Sequence, residues 1–94
     1  MAIEEDPEEH ELDALYAVVS FAGRRVLEVG CGDGRLTLRY AHAAASVVAI
    51  DPDEESVAAL AAEGLPNVET RAVGVERVEL APRSIDVVLF AWSL

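Results

Sequence analysis

The stretch Val26-Leu27-Glu28-Val29-Gly30-Cys31-Gly32-Asp33-Gly34-Arg35 decides the fold of this 94-residue chain. It begins with a short apolar run around one Glu, which predicts a buried strand over 25–29. Glycines then alternate with other residues, and residues 35–45 are rich in Leu, Arg and Ala, which favour a helix. A strand that ends in glycines and continues into a helix lets the backbone approach a ligand closely and directs unpaired helix amides toward it. The stretch therefore predicts a strand, a ligand-binding turn and a helix in direct succession.

Apolar periodicity on both sides of this stretch predicts further helices and strands. The predicted elements are a helix from about residue 8 to Gly23, strands over 46–50, 67–72 and 85–90, a helix over 53–63, and an irregular stretch up to Arg83. In the 53–63 helix we expect Asp53 as the cap and Val57, Leu60 and Ala61 on the inward face. Alternation of this kind indicates the α/β class, with a parallel sheet of about four strands in a Rossmann-like three-layer sandwich.

The acidity of the chain is uneven. The net charge is −11, and residues 1–13 carry seven carboxylates and no Lys or Arg. We expect residues 1–9 to be an acidic disordered lead-in and residues 10–94 to form one domain. A strongly negative chain repels phosphate backbones and anionic lipid heads, which argues against nucleic-acid and membrane partners.

Cysteine and histidine usage limits the chemistry that the chain can carry. Cys31 is the only cysteine, and no pair of His or carboxylates has metal-ligand spacing, so no intramolecular disulfide and no metal site are predicted. No His near Cys31 in sequence could activate it, and we interpret Cys31 as a small turn residue without a nucleophilic role. The chain shows neither a signal-peptide pattern nor an apolar run long enough to span a membrane, so a cytoplasmic location is expected.

The glycine stretch closely resembles the first motif of class I S-adenosylmethionine-dependent methyltransferases. Its spacing is G-x-G-x-G, where dinucleotide-binding folds use G-x-G-x-x-G. Asp51 follows the second predicted strand, 17 residues after Gly34, where both groups of proteins place a carboxylate to accept the ribose hydroxyls. The run Ser84-Ile85-Asp86-Val87-Val88-Leu89 resembles the family's fourth-strand motif. Glu28 places a negative charge near the expected ligand, which would attract a sulfonium and an ammonium and would repel a pyrophosphate.

The resemblance covers residues 10–94 and implies S-adenosyl-L-methionine as the cofactor, with strands in the order 3-2-1-4. It places Gly30 and Gly32 under the methionine and ribose portions, Asp51 on the ribose and Pro52 against the adenine. The family often has an Asp after its third strand to recognise the adenine amino group, and Gly74 stands there instead. Glu76 or the backbone of Val75 could take that role. The implied cofactor-binding set is Glu28, Gly30, Cys31, Gly32, Asp51, Pro52, Gly74, Val75 and Ala91.

The methyl acceptor and the catalytic residues are not indicated by any motif. Residues Phe90 to Trp92 would border the methionine end and begin the acceptor site. Trp92 could stack on a substrate there, but an aromatic residue that follows a buried strand is more often part of the core. The chain lacks the Asn/Asp-Pro-Pro-Tyr motif of amino-methylating DNA enzymes, which makes a small-molecule acceptor the expectation. Alternatives are a non-catalytic binding or assembly module, and an NAD(P)-binding Rossmann domain, which the glycine spacing and Glu28 disfavour.

The family continues beyond its fourth strand with a further helix and strands, so we expect the domain to be incomplete at its carboxyl end. The strand at 85–90 would then have a bare hydrophobic edge. Unpaired edges invite pairing with another chain, and a homodimer through this edge is predicted.

Overall fold

Four parallel strands form one sheet in the computed structural model, which describes residues 18–91. The strands are β1 (Arg25–Val29), β2 (Ser46–Ile50), β3 (Val68–Arg71) and β4 (Val87–Phe90). Their order across the sheet is β3-β2-β1-β4, and every neighbouring pair is parallel. The predicted Rossmann-like α/β fold with strand order 3-2-1-4 is therefore confirmed. The predicted lead-in at residues 1–9 and most of the first helix lie outside the described residues.

The described part begins with the end of a helix at residues 18–21, and Gly23 turns the chain with a φ of +71°. A left-handed φ is open to glycine without strain, which confirms Gly23 as the stop of this helix. None of the helices described within residues 18–91 is long and apolar enough to cross a membrane.

The helix predicted over 35–45 is wrong in length. It consists of α1 (Thr37–Tyr40) and a 3-10 helix (Ala41–Ala43). At its start the chain is still turning, because Gly34 has a φ of +94° and its N–H donates to the carbonyl of Cys31. At its end the Asn67 amide donates to the carbonyls of Ala41 and Ala44, at 2.7 and 3.1 Å. These bonds hold the last turn as a tight 3-10 turn and stop the helix there.

The third predicted helix is α2 (Glu54–Ala61), two residues shorter than expected at its carboxyl end. Asp53 caps it as predicted, because its side chain accepts from the N–H of Glu55 at 3.2 Å. Val57 and Leu60 are buried, but Ala61 is exposed, so its predicted inward position is wrong. One residue step along a helix is a rotation of about 100°, which carries Ala61 off the narrow stripe that so short a helix lays on the sheet.

The two faces of the sheet are covered differently. On one face a large core packs against α1 and α2, and it contains Val26, Tyr40, Val47, Ala49, Leu60 and Leu89. On the opposite face Leu27, Val29 and Ile50 are buried under the irregular segment between β3 and β4, through Val73, Val78, Leu80 and Ile85. Within residues 18–91, the third layer of the sandwich is thus formed by this segment, which is irregular as predicted.

Strand β4 begins two residues later than predicted, at Val87. Asp86, the residue before it, donates its N–H to the carbonyl of Arg25 at 2.7 Å and turns its carboxylate back to the same arginine. This two-bond contact between the Arg25 guanidinium and the Asp86 carboxylate, here called the fork, lies at the amino-terminal end of β1, opposite the glycine turn. It fixes the end of the irregular segment to the sheet.

Candidate functional site

A cavity of about 360 Å³ opens where the strands end. Its walls are Val29, Gly30, Ile50, Asp51, Pro52, Val73, Gly74, Val75 and Glu76. These residues follow or end β1, β2 and β3, and ligands of open parallel sheets bind at this carboxyl edge. The walls include two carboxylates and no basic residue, so the cavity suits a neutral or cationic ligand better than a pyrophosphate.

A second cavity of about 470 Å³ is larger but lies at the opposite end of the sheet. It is bordered by Ser46 and Asn67, which begin or precede β2 and β3, and by Leu80 and Ile85 of the irregular segment. Size alone favours this cavity. The position of the glycine turn favours the smaller one, and we assign the functional site there.

The turn after β1 is possible only because of its glycines. Gly32 has a φ of +57°, and a Cβ placed on it would meet no atom within 4 Å. Gly34 has a φ of +94°, and a Cβ there would collide with the Leu60 side chain. Gly32 thus leaves open space above the turn, while Gly34 lets the turn pack closely on α2. Gly34 therefore serves the packing of the core, whereas the space beside Gly32 is open.

Asp51 joins the glycine turn to the end of β2. Its Oδ2 atom accepts from the N–H of Gly32 at 3.0 Å, and its Oδ1 atom accepts from the N–H of Asp53 at 2.9 Å. The second bond is the turn role that Asp-Pro sequences often have. A carboxylate has about four acceptor positions, so both oxygens keep room for a further donor such as a hydroxyl. The turn role and the predicted ligand role are compatible.

The far wall of the cavity carries the residues predicted for the adenine. Pro52, Gly74 and Val75 all line it, as does Glu76. A Cβ on Gly74 would lie 2.6 Å from a carboxylate oxygen of Glu76, so this carboxylate occupies the space that a side chain at 74 would fill. Where the family often has an Asp, the chain therefore offers a carboxylate from two residues further along.

Glu28 is not on the cavity wall, although the sequence suggested it beside the ligand. Alternate residues of a strand point to opposite faces, and Glu28 points with Val26 into the helix-covered core while Val29 points toward the cavity. The side chain is fully buried beneath the glycine turn. Its Oε1 atom accepts from the hydroxyls of Thr37 at 2.7 Å and Tyr40 at 2.6 Å. Burial raises the pKa of this carboxyl, against the opposing effect of the Tyr40 and Thr37 hydrogen bonds.

Cys31 and Ala91 are also predicted site residues that the structure keeps off the cavity wall. Both are buried, and their N–H groups donate to the carbonyls of Ile50 and Val29, respectively. Burial, and after it the negative charges of Glu28 and Asp51, raise the pKa of the Cys31 thiol to about 12. A thiol held protonated in this way fits the interpretation of Cys31 as a turn residue.

The structure thus brings five predicted residues to one cavity: Gly30, Asp51, Pro52, Gly74 and Val75. Gly32 joins them through its bond to Asp51. Sequence reasoning missed the apolar walls formed by Ile50 and Val73, and it missed the Thr37 and Tyr40 partners of Glu28. The spacing of those two residues on one helix face was the available signal. Trp92 lies outside the described residues, and among residues 18–91 no cluster of three His, Cys, Asp or Glu could hold a metal ion.

Comparison with known proteins agrees with this geometry. A family model described as a methyltransferase domain matches residues 26–94. The ubiquinone biosynthesis O-methyltransferase of Agrobacterium fabrum is 40% identical over 70 residues, which cover 71% of this chain and 28% of that protein. An uncharacterized methyltransferase of Mycobacterium tuberculosis is 37% identical over 79 residues, covering 84% of this chain and 32% of that protein.

Among solved structures, an S-adenosylmethionine-dependent methyltransferase from Mesorhizobium loti superposes with a TM-score of 0.68 at 21% identity. The match covers 84% of this chain and 38% of that one, and it shows a shared fold. The chain spans about a third of the length of the curated relatives named above. With the strand order, the glycine turn and the family match in agreement, the chain belongs to the methyltransferase-domain family.

Proposed function

We propose that this chain is the donor-binding part of an S-adenosylmethionine-dependent methyltransferase. The observation that carries the proposal is the Asp51 carboxylate, which is held on the glycine turn at the rim of the cavity with acceptor capacity left on both oxygens. Two hydroxyls of a ribose can share such a carboxylate. Apolar walls from Ile50, Pro52 and Val73 suit the flat face of an adenine.

The charge of the site favours this donor over a dinucleotide. S-adenosylmethionine carries a sulfonium and an ammonium, whereas NAD carries a pyrophosphate. The cavity wall holds Asp51 and Glu76, and Glu28 lies beneath the turn, so the local field is negative. α1 has only four residues, and its weak dipole adds little for an anion to bind. The NAD(P)-binding alternative is therefore disfavoured by charge as well as by glycine spacing.

The chemistry supplied by the donor is transfer of an activated methyl group. The residues of this chain hold and orient it: Asp51 fixes the ribose, the turn at Gly30 and Gly32 leaves room for the backbone to lie against the ligand, and the apolar wall excludes water. Orientation is the larger part of what a protein must add, because an in-line displacement needs the nucleophile directly behind the methyl group.

The acceptor, as we propose it, is a small molecule. Support comes from the negative charge of the chain, which disfavours a nucleic-acid acceptor, and from the missing DNA-methylating motif. A cytoplasmic location is part of the same proposal, and a sequence without a pair of cysteines for a disulfide is consistent with it.

Isothermal titration calorimetry with S-adenosylhomocysteine and, separately, with NAD tests the proposal. We expect heat from the first ligand and none from the second. Binding of NAD without binding of S-adenosylhomocysteine would contradict the proposal and favour the alternative of an NAD(P)-binding Rossmann domain. Binding of neither would favour a non-catalytic assembly module.

We further propose that the outer edge of β4 pairs with a second copy of the chain. β4 is the last strand of the sheet formed by the described residues, and Val88 on it is 40% exposed. An apolar edge of this kind is stabilised by strand addition. Size-exclusion chromatography with light scattering should give a dimer, and a monomer at all concentrations tested would contradict this proposal.

A further inference from the structure

Glu28 is held by one oxygen only. Both hydroxyl donors, from Thr37 and Tyr40 of α1, go to Oε1, while Oε2 is buried without a hydrogen-bond partner among the described residues. An unpartnered buried acceptor costs free energy, and the cost is larger where the acceptor carries charge. Such an arrangement calls for an explanation other than packing.

No charge of opposite sign compensates Glu28 within the described residues. Its neighbours on the adjacent strands are Ala49 and Leu89, both fully buried and apolar. The titratable groups that face it are the Tyr40 phenol from α1 and the Cys31 thiol from the turn, and neither is a cation. Any negative charge on the carboxyl is therefore not neutralised within the described core. A positive group that approaches from outside the core can interact with it.

Glu28 belongs to the strand that leads directly into the proposed donor site. Glu28 lies two residues before Gly30, which lines the cavity, and the Cys31 thiol is influenced by the charges of both Glu28 and Asp51. Charges separated by a dry core interact more strongly than charges in water. Direct contact with the ligand is thus unnecessary for Glu28 to act on it.

We propose that Thr37 and Tyr40 are positioning residues of the donor site, which hold the Glu28 carboxyl beneath the glycine turn so that its charge selects the cationic end of the donor. This inference depends on the proposed function. The two hydroxyls stabilise the ionised carboxyl by donating to it, and removing either one disfavours the charge that the donor's ammonium requires. A merely structural network would tie α1 to β1 with no effect on ligand choice.

Two ligands separate these roles. S-adenosylhomocysteine carries an ammonium, and methylthioadenosine keeps the nucleoside but lacks the amino-acid part. For Thr37→Val and Tyr40→Phe we expect the affinity for S-adenosylhomocysteine to fall about tenfold, as loss of a hydrogen bond to a charged group implies. The affinity for methylthioadenosine should change by less than about twofold, since the nucleoside contacts are intact.

Thr37→Ser is the matched control, because it keeps the hydroxyl and should restore selective binding of S-adenosylhomocysteine. If Thr37→Val does not fold, Glu28→Gln makes the same test while keeping the size of the side chain. The pH profile is a further readout: affinity for S-adenosylhomocysteine should rise with pH as Glu28 ionises, and Tyr40→Phe should move that rise to higher pH.

Equal losses for both ligands, or an unchanged pH profile, would overturn the inference and leave the proposed function standing. A wild-type chain that binds neither ligand would overturn both.

Discussion

The carboxylate of Asp51 accepts a hydrogen bond from the N–H of Gly32 at 3.0 Å, which joins the turn after β1 to the end of β2. The two residues are 19 positions apart in sequence. Parallel pairing of β1 with β2, in register from Arg25 with Ser46 to Val29 with Ile50, brings them together. The sheet therefore brings together the two sides of the proposed donor site by ending two neighbouring strands at the same level.

Asp51→Asn should weaken binding of S-adenosylhomocysteine by about tenfold or more, because a charge-assisted acceptor becomes a neutral one. Isothermal titration measures the change. Asp53→Asn is the matched control: Asp53 is exposed, lies off the cavity wall, and Asn caps a helix as well as Asp does. Equal weakening by both substitutions would show that the effect comes from the local fold and not from the ligand contact.

Glu28→Gln should change the pH dependence of stability. Burial raises the pKa of Glu28 in the folded chain above its unfolded value. The neutral form of Glu28 is thus favoured on folding. The contribution of Glu28 to the free energy of unfolding is complete below its unfolded pKa of about 4.3, and it is lost as pH rises through the folded pKa. Urea unfolding of both proteins at several pH values should show the variant gaining on the wild type as pH rises. A constant difference between them would contradict the raised pKa.

Much of the fold was predictable from local pattern. β1 and β2 have the predicted bounds, because an apolar run that ends in glycine or in Asp-Pro shows clearly where the strand stops. The length of the helix after Gly34 was not predictable, because it is set by contacts with residues that are distant in sequence. Asn67, which is 26 residues from Ala41, donates to the carbonyl where the α-helical turn ends.

The candidate site divides in the same way. Gly32 and Asp51 could be placed from motif spacing, because strand ends fix where they stand. Glu28 could not, because the face of β1 to which it points depends on which side of the sheet the helices cover. The hydroxyl partners of Glu28 lie on α1, and the sequence does not show which face of the sheet α1 covers.

Gly34→Ala should destabilise the chain more than Gly32→Ala. Both positions have positive φ, which costs a side chain about 1 kcal/mol, but only at Gly34 would the new Cβ collide with Leu60. Overpacking of this kind adds about 1–3 kcal/mol. Denaturant titration should therefore rank the variants in the order wild type, Gly32→Ala, Gly34→Ala. Equal destabilisation of the two variants would mean that Leu60 and α2 move aside without cost, and the reverse order would contradict the prediction outright.

Asp86→Asn should remove an acid-sensitive contribution to stability. The guanidinium of Arg25 donates to both Asp86 oxygens, at 3.0 and 2.9 Å, and these bonds with that of the Arg25 N–H lower the Asp86 pKa to about 2. A depressed folded pKa gives stability that is present above the unfolded pKa and lost as pH falls through the folded one. The fork is exposed, so salt should also weaken it.

The contribution of this fork is checked by comparing the midpoints of thermal unfolding of wild type and Asp86→Asn at neutral pH and in steps down toward pH 2. We expect a lower midpoint for the variant at neutral pH and convergence of the two curves in acid. Glu63→Gln, at an exposed carboxylate after α2, serves as the control and should shift the midpoint little at any pH. If the Asp86→Asn difference persisted unchanged in acid, the fork would act through the shape of the Asp86 turn, because a charge-dependent contact between Arg25 and Asp86 has to disappear when the carboxylate is protonated.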